Sequence, residues 1–299
     1  MKEGWKTRAI GRHVVDLPGD AKTIETYSYN KLKIALLLEI ENHEDFERLV
    51  AQREQALRAT KHDKQGSMFV DRVRYSTGSV TLISWEGPDE DAYYRFCTYF
   101  RVGSKTIEYS GDVAPSKKQA ILASCERLSR EWSEIPPGEM PQGIGFAVDR
   151  CLLGAKRLNL ESWNMLIQLP GKPDVSFEIA SYTLGRVAPG LRERAGGAVA
   201  GLLGTVAGLS RLRNRARPVG PIEADEILLA GTQDGKRAYG FKWEAPGKAN
   251  SLAEPNLNVT LEVRESAYTT NKESFASDEE ALELWDAVVD SIRLRPGAV

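Results

Sequence analysis

Cysteine is scarce in this sequence. Cys97, Cys125 and Cys151 are the three cysteines among 299 residues, and no two of them have a CxxC or other metal-ligand spacing. An odd and sparse set does not define a disulfide framework. Two interpretations stay open, three buried thiols or a single bridge between Cys97 and Cys125 in an oxidising compartment. Neither involves a metal ion, and the sequence predicts no cofactor.

Histidine and the common catalytic motifs are equally scarce. The three histidines are His13, His43 and His62, and the last two fall in polar stretches that we expect to face water. Histidine is the most frequent general base in enzymes. The sequence also lacks the GxSxG, HExxH, GxxxxGK[ST] and EF-hand patterns, and its acidic run Asp89–Asp91 lies in a predicted solvent-facing loop. These absences favour a binding protein over an enzyme, with a hydrolase of unfamiliar site as the alternative.

The chain has no excess of charge of one sign and no long apolar run. Its 40 basic and 42 acidic residues give a net charge of −2. Nucleic-acid-binding domains are usually basic, so we expect no nucleic-acid partner. A membrane-spanning helix needs about 20 apolar residues and a signal peptide needs about seven to fifteen near the N-terminus. Neither pattern occurs, which predicts no integral membrane segment and fits either a cytoplasmic protein or a mature chain whose signal was removed.

A stretch rich in proline and glycine, Glu134–Gly145, divides the chain into two parts of domain size. Proline can neither continue a helix nor donate to a β-ladder, so such a stretch is typical of a linker. The sequence therefore predicts an N-terminal domain over residues 1–134, a linker over 135–144 and a C-terminal domain over 145–299.

The two parts share one plan. Each opens with glycine and a short apolar run that ends in aspartate, and each closes with a helix preceded by a capping pattern, Ser116 with Gln119 and Ser277 with Glu280. Between these landmarks a long helix, Asn42–Ala59 in the first part, interrupts a series of strands. The sequence predicts an α+β fold of two similar modules, each an antiparallel sheet with helices packed on one face.

The segment Ala195–Arg217 is the most unusual part of the sequence. Sixteen uncharged residues, five of them glycine, precede four arginines at alternate positions. Glycines at Gly197, Gly201, Gly204 and Gly208 follow a helical period, although each interior glycine costs a helix about 1 kcal/mol relative to alanine. We expect a helix laid across the second sheet, in the place that Asn42–Ala59 has in the first.

This segment also supplies the candidates for partner binding. They are the glycine face and the arginines that follow it, namely Gly201, Gly204, Gly208, Arg211, Arg213, Arg215 and Arg217. Residues 186–217 carry a net charge of +6 and residues 218–299 carry −7. Three interpretations stay open: neutralisation of the arginines within the chain, contact with another protein, or binding to an anionic lipid surface.

Four stretches together resemble a known family. They are Ile10–Ala21, Gly143–Gly154, Phe241–Val263 with its F-x-W-E-x-P-G motif, and Leu284–Pro296 with S-I-R-x-R-P. In this order they are similar to the two-domain immunity proteins of type VI secretion lipase effectors, in the class paired with the fourth group of those lipases. The chain departs from the pattern at Val219–Leu229, where a glycine followed closely by paired glutamates is expected.

The resemblance implies a non-catalytic inhibitor. Such a protein is expected in the periplasm of the producing cell, where it binds the cognate lipase effector in a 1:1 complex and protects the cell's own membranes. Two similar modules could hold a partner from two sides, which raises affinity when the geometry fits. No catalytic, cofactor-binding or metal-binding residue is implied. A peripheral lipid-binding protein and a hydrolase are the alternatives.

Overall fold

The computed structural model describes residues 2–40, 42–155, 160–187, 189–194, 207–233, 236–263 and 274–299. Contacts divide the chain into two compact units. The central unit is Tyr27–Arg157, and the flanking unit combines Met1–Thr26 with Leu158–Val299. The predicted linker, residues 135–144, falls within the central unit by this division, and the domain boundaries drawn there stay a prediction.

The described secondary structure is mostly strand. The strands are β1 (Trp5–Ile10), β2 (His13–Pro18), β3 (Lys22–Tyr29), β4 (Leu32–Leu36), β5 (Phe69–Arg74), β6 (Val80–Trp85), β7 (Tyr94–Val102), β8 (Lys105–Val113), β9 (Trp132–Glu134), β10 (Phe146–Val148), β11 (Cys151–Leu153), β12 (Ser162–Gln168), β13 (Val175–Tyr182), β14 (Ala207–Ala216), β15 (Asp225–Gln233), β16 (Lys236–Ala245), β17 (Asn256–Val263) and β18 (Arg293–Leu294). The helices are α1 (His43–Ala59), α2 (Lys118–Ser129) and α3 (Asp278–Val289).

The main sheets of the two units have the same strand order. Neighbouring strands run β3-β4-β8-β7-β6-β5 in the central unit and β12-β13-β17-β16-β15-β14 in the flanking unit. Matching β12 to β17 with β3 to β8 makes the two orders identical. Each unit also has a small sheet, β9-β11-β10 in the first and β1-β2-β18 in the second. The predicted α+β fold of two similar antiparallel modules is confirmed, and the shared order supports a duplication.

Helix α1 begins where its capping residue predicts. The Asn42 side chain accepts a hydrogen bond from the amide of Asp45 at 2.9 Å, which satisfies one of the amides that a helix start leaves unpaired. Phe46 and Val50, one helical turn apart, are buried against Leu82 and Tyr99 of the sheet. The predicted helix over Asn42–Ala59 is therefore confirmed.

Helix α2 departs from the prediction in two respects. Ser116 does not cap it, because Pro115 opens a short 3-10 turn over Pro115–Lys117 and the helix begins only at Lys118. In addition, Cys125 of α2 accepts a hydrogen bond from Thr98, whereas Tyr99 packs with α1. Successive strand residues point to opposite faces, so α1 and α2 cover opposite faces of the central sheet. The sequence had predicted both helices on one face. The strand β6 buries both of its sides accordingly.

Helix α3 packs on the sheet of the flanking unit and contributes buried side chains to its hydrophobic core. Ser277 caps it as predicted, by accepting a hydrogen bond from the amide of Glu280, while the Glu280 carboxylate accepts one from the amide of Ala276 at 2.7 Å. The fully buried Trp285 stacks on Phe177 and meets Phe241 edge to face. The helix is thereby fixed over the centre of the sheet.

The helix predicted over the glycine and arginine segment is wrong for its described part. Residues 195–206 lie outside the described residues, and Ala207–Ala216 form the strand β14, paired antiparallel with β15. The arginines at alternate positions carried the correct signal, because a period of two is typical of a strand. The glycine period of three and four gave the opposite indication, and for Gly208 it was misleading.

Candidate partner-binding surface

A β-bulge in β14 divides the candidate arginines between the two faces of the flanking sheet. Arg211 lies opposite Leu229 of β15, whereas Arg213 lies opposite Leu228, with a register shift between the two arginines. Adjacent residues of β15 point to opposite faces. Arg213 and Arg215 therefore share the face that α3 covers, and Arg211 lies on the other face.

The three arginines from Arg213 onward surround a single buried carboxylate. We call this set, Arg213, Arg215 and Arg217 with Glu226, Asp286 and Asp290, the arginine cluster. Glu226 has no exposed side-chain surface, and its oxygens lie 3.1 Å from both Arg215 Nε and Arg217 Nε. The indole Nε1 of Trp285 donates a hydrogen bond to Glu226 Oε2 at 2.9 Å. A buried carboxylate is stable only with such partners.

Two aspartates of α3 complete the cluster. Asp286 accepts hydrogen bonds from both Nη atoms of Arg213, at 2.6 and 2.9 Å. Asp290 lies 2.8 Å from Arg217. Burial by itself would raise the pKa of Asp286, but the hydrogen bonds of Arg213 and the charge of Arg217 hold that pKa below its usual value. Three cations meet three anions, so the flanking unit neutralises these arginines internally.

The structure separates the predicted binding residues into three groups. Gly201 and Gly204 lie outside the described residues, and Gly208 lies in β14. Arg213 and Arg217 have side chains only 22% and 10% exposed, held within the cluster. Arg211 and Arg215 are exposed on the surface. Sequence reasoning missed Glu226, Asp286 and Asp290 as individual acceptors; the excess of acid after residue 217 was their signal.

Of the three histidines, His43 is exposed as expected, whereas His13 is buried and His62, contrary to the expectation that it faces water, is buried as well. Burial, and then the charge of Arg12, lowers the pKa of His13 to about 4. His62 is fully buried, and its ring contacts the backbone oxygen of Glu90 at 3.0 Å. All three cysteines are free, and burial raises the pKa of Cys125 to about 11. These thiols are neutral at physiological pH.

Two general features of the described residues bear on the class of protein. They include no group of three or more histidine, cysteine, aspartate or glutamate side chains arranged to hold a metal ion. None of the helices within them has the length and apolar character that a membrane crossing requires.

The family models identify the class of protein. The model of the Tle cognate immunity protein 4 N-terminal domain matches residues 6–121, and that of the C-terminal domain matches residues 139–297. The chain belongs to the Tle cognate immunity protein 4 family. No curated protein matches the sequence.

Solved structures of immunity proteins share the fold over the full length. The apo immunity protein TplEi of the type VI secretion system (T6SS) of Pseudomonas aeruginosa is 33% identical, with a TM-score of 0.90 and 99% of each chain covered. A chain of the Tle4–Tli4 complex is 33% identical over all of both chains, with a TM-score of 0.91. TplEi in complex with an "L" peptide, also 33% identical, has a TM-score of 0.83 and covers 99% of this chain and 100% of its own.

Proposed function

We propose that this chain binds a cognate Tle4-type lipase effector of a type VI secretion system in a 1:1 complex and inhibits it. The observation that carries the proposal is the match to a chain of the Tle4–Tli4 complex, which extends over the whole of both chains at 33% identity. Both family models, for the N-terminal and the C-terminal domain, support the same assignment.

The chain acts as a binding protein and not as a catalyst in this proposal. Catalysis by a side-chain base needs that base within hydrogen-bond reach of a reacting group. His13 is buried with a lowered pKa, and His62 is occupied by backbone contacts. The exposed His43 lies 3.9 Å from Glu47 on the surface of α1. These placements support a binding role for the chain, and in the proposal the immunity protein inhibits by occupancy and denies the lipase its substrate.

The producing cell's periplasm is the proposed site of action, as the family resemblance implies. A lipase that degrades membranes endangers its own producer wherever it meets phospholipid. Fractionation of cells that express the natural gene tests this part, and recovery with a periplasmic marker protein is the expected result. Recovery with a cytoplasmic marker alone would contradict it.

Peripheral lipid binding through the arginines has less support. Such binding needs cations free to meet anionic headgroups. Arg213, Arg215 and Arg217 are paired with carboxylates of the same unit. Of the four arginines at alternate positions, Arg211 is the one that is exposed without an ion pair to a described residue, since the exposed Arg215 is paired with Glu226.

The direct test is hydrolysis of phospholipid vesicles by the purified lipase encoded beside this chain's gene. We expect activity to fall linearly as the chain is added and to vanish at one equivalent. Full hydrolysis in the presence of a twofold excess would overturn the proposal. Bovine serum albumin at the same concentration controls for adsorption of the lipase or of its products.

A further inference from the structure

A groove in the central unit lies between α1 and a part of the sheet that this helix leaves uncovered. Helix α1 packs mainly against β5 and β6, so the adjoining parts of β7 and β8 form an open floor. The groove has a volume of about 350 Å³. This volume lies at the lower end of the range for ligand pockets in proteins, roughly 300–1,000 Å³.

The apolar lining of the groove is accessible mainly at Leu57 of α1 and Cys97 of β7, which are only partly buried. Leu82 of β6 and Tyr99 of β7 lie beneath them and are almost fully buried against α1. Burial, and then the charge of Glu108, raises the pKa of Cys97 to about 12. The thiol is therefore neutral and behaves as a small apolar group. An apolar side chain of an occupant would therefore find apolar contacts at Leu57 and Cys97.

Two arginines flank this floor. Arg53 of α1 and Arg95 of β7 both line the groove and are exposed. Arg95 donates to Asp112 at 2.9 Å, whereas Arg53 forms no ion pair with any of the residues described here. Glu108 is the only carboxylate among the lining residues.

The charges of α1 explain why Arg53 is left without a carboxylate. On the side of the helix next to β5, Glu47 binds Arg74 at 2.6 Å and Glu54 binds Arg72 at 2.8 Å. These two glutamates are therefore paired at the edge of the sheet. The Arg53 guanidinium lies on the groove side of the helix and forms no ion pair with a described residue. Arginine beside an apolar surface that loses its water on binding is a common energetic anchor of protein interfaces.

We propose that this groove receives a segment of the cognate effector that presents an apolar side chain next to a carboxylate. The apolar side chain covers Leu57 and Cys97, and the carboxylate pairs with Arg53. The inference rests on the proposed function. A carboxylate is favoured because a charge-assisted hydrogen bond to arginine is roughly twice as strong as one between neutral groups.

Filling the groove from its own helix tests the proposal. Ala56 is exposed and lines the groove, so Ala56→Trp places an indole where the effector segment would lie. Ala51 is exposed on the same helix and is not part of the lining, so Ala51→Trp is the matched control. Calorimetry with the lipase encoded beside this chain's gene should show Kd raised about tenfold or more by Ala56→Trp, and unchanged within about twofold by Ala51→Trp.

Charge reversal gives a second arm that does not depend on the size of a new side chain. Arg53→Glu should also raise Kd about tenfold or more, whereas Arg48→Glu, an exposed arginine of the same helix outside the groove, should not. Circular dichroism verifies that each variant is folded. If Ala56→Trp does not fold, the affinity of Arg53→Glu alone tests the proposal.

The outcomes separate the two proposals. If the wild-type chain binds and both groove variants bind equally well, the groove proposal is wrong and the proposed function stands. If the wild-type chain does not bind the lipase, the proposed function fails and the groove proposal fails with it.

Discussion

The edge strands β5 and β14 occupy the same position in their sheets and both carry arginines, yet their arginines have different surroundings. Arg72 and Arg74 of β5 bind glutamates of α1, with side chains that remain partly exposed. Arg213 and Arg215 of β14 lie on the face of their sheet that α3 covers. Arg213 pairs with Asp286 of this helix, and Arg215 pairs with the fully buried Glu226. Both edge strands therefore carry arginines, but their ion pairs lie on different faces of the two sheets and differ in burial.

Solvent exposure sets this difference. An exposed ion pair contributes about 0–1 kcal/mol, because water screens it and the side chains lose entropy. A buried pair that loses one member leaves an uncompensated charge, which costs about 3–5 kcal/mol. We therefore expect the arginine cluster to matter for the stability of the flanking unit and the α1 pairs to matter little for that of the central unit.

The largest expected effect comes from Glu226→Ala. This change removes the carboxylate that Arg215, Arg217 and Trp285 share, and it should lower the free energy of unfolding by about 3–5 kcal/mol. Glu47→Ala, which breaks the exposed pair with Arg74 of β5, is the matched change in the central unit and should cost about 1 kcal/mol or less. Urea denaturation followed by circular dichroism measures both, and hydrogen exchange assigns each loss to its unit. Equal costs would refute the comparison.

Trp285→Phe should have the next largest effect. The ring stays apolar, so the contacts with Phe177 and Phe241 are largely kept, but the donor to Glu226 is lost. A hydrogen bond to a charged group contributes about 1.5–3 kcal/mol. Denaturation in urea should show a loss of that size. A change below about 0.5 kcal/mol would mean that the arginines satisfy Glu226 without the indole.

The pH dependence of stability tests the role of Asp286. Its pKa is lowered in the folded state, so its contribution is present above the unfolded value of about 3.9 and is lost as the pH falls through the lower folded value. Asp286→Asn should therefore lower stability at pH 7 and flatten the decline below about pH 4. An unchanged slope in the variant would remove Asp286 from this account.

The smallest effect on stability is expected at Arg211, and it sharpens the sequence-based binding hypothesis. Arg211 is exposed on the face opposite the cluster, so Arg211→Ala should change the free energy of unfolding by less than about 0.5 kcal/mol. We expect the same variant to weaken effector binding about twofold to tenfold, as an exposed arginine at an interface would. Unaltered affinity in calorimetry would exclude Arg211 from the binding surface.

The sequence predicted those helix starts that depend only on neighbouring residues. Asn42 and Ser277 cap their helices as expected, because a capping side chain satisfies amides only a few residues away. Ser116 fails for an equally local reason, the preceding Pro115. The repeated succession of elements made the two similar modules predictable, whereas the order of the strands in each sheet came from the structure.

Non-local pairing could not be predicted in this way. Arg12 forms a buried bidentate ion pair with Glu161, 149 residues away, and donates to the backbone oxygen of Ala298 at 2.5 Å. These contacts and the pairing of β2 with β18 join the chain's first residues to its last, although the sequence plan assigned them to different modules. Neither a periodic pattern nor a capping residue in the sequence indicates an ion-pair partner so far along the chain.

The bulge in β14 is the second feature beyond the reach of the sequence. Four arginines at alternate positions predict a single face for an extended segment, whereas the register shift before Arg213 separates Arg211 from the rest. The acceptors on β15 and α3 are also distant in sequence. Charge balance indicated that neutralisation within the chain was possible, but not which residues provide it.

Protection of living cells is the most direct measurement of the central claim. A sensitive strain directs the neighbouring lipase to its periplasm, with or without this chain directed to the same compartment. The account predicts that the lipase alone stops growth and that co-expression of the wild-type chain restores it. Growth arrest that persists although the folded chain is present in excess would contradict the claim that this protein is the immunity partner of that lipase.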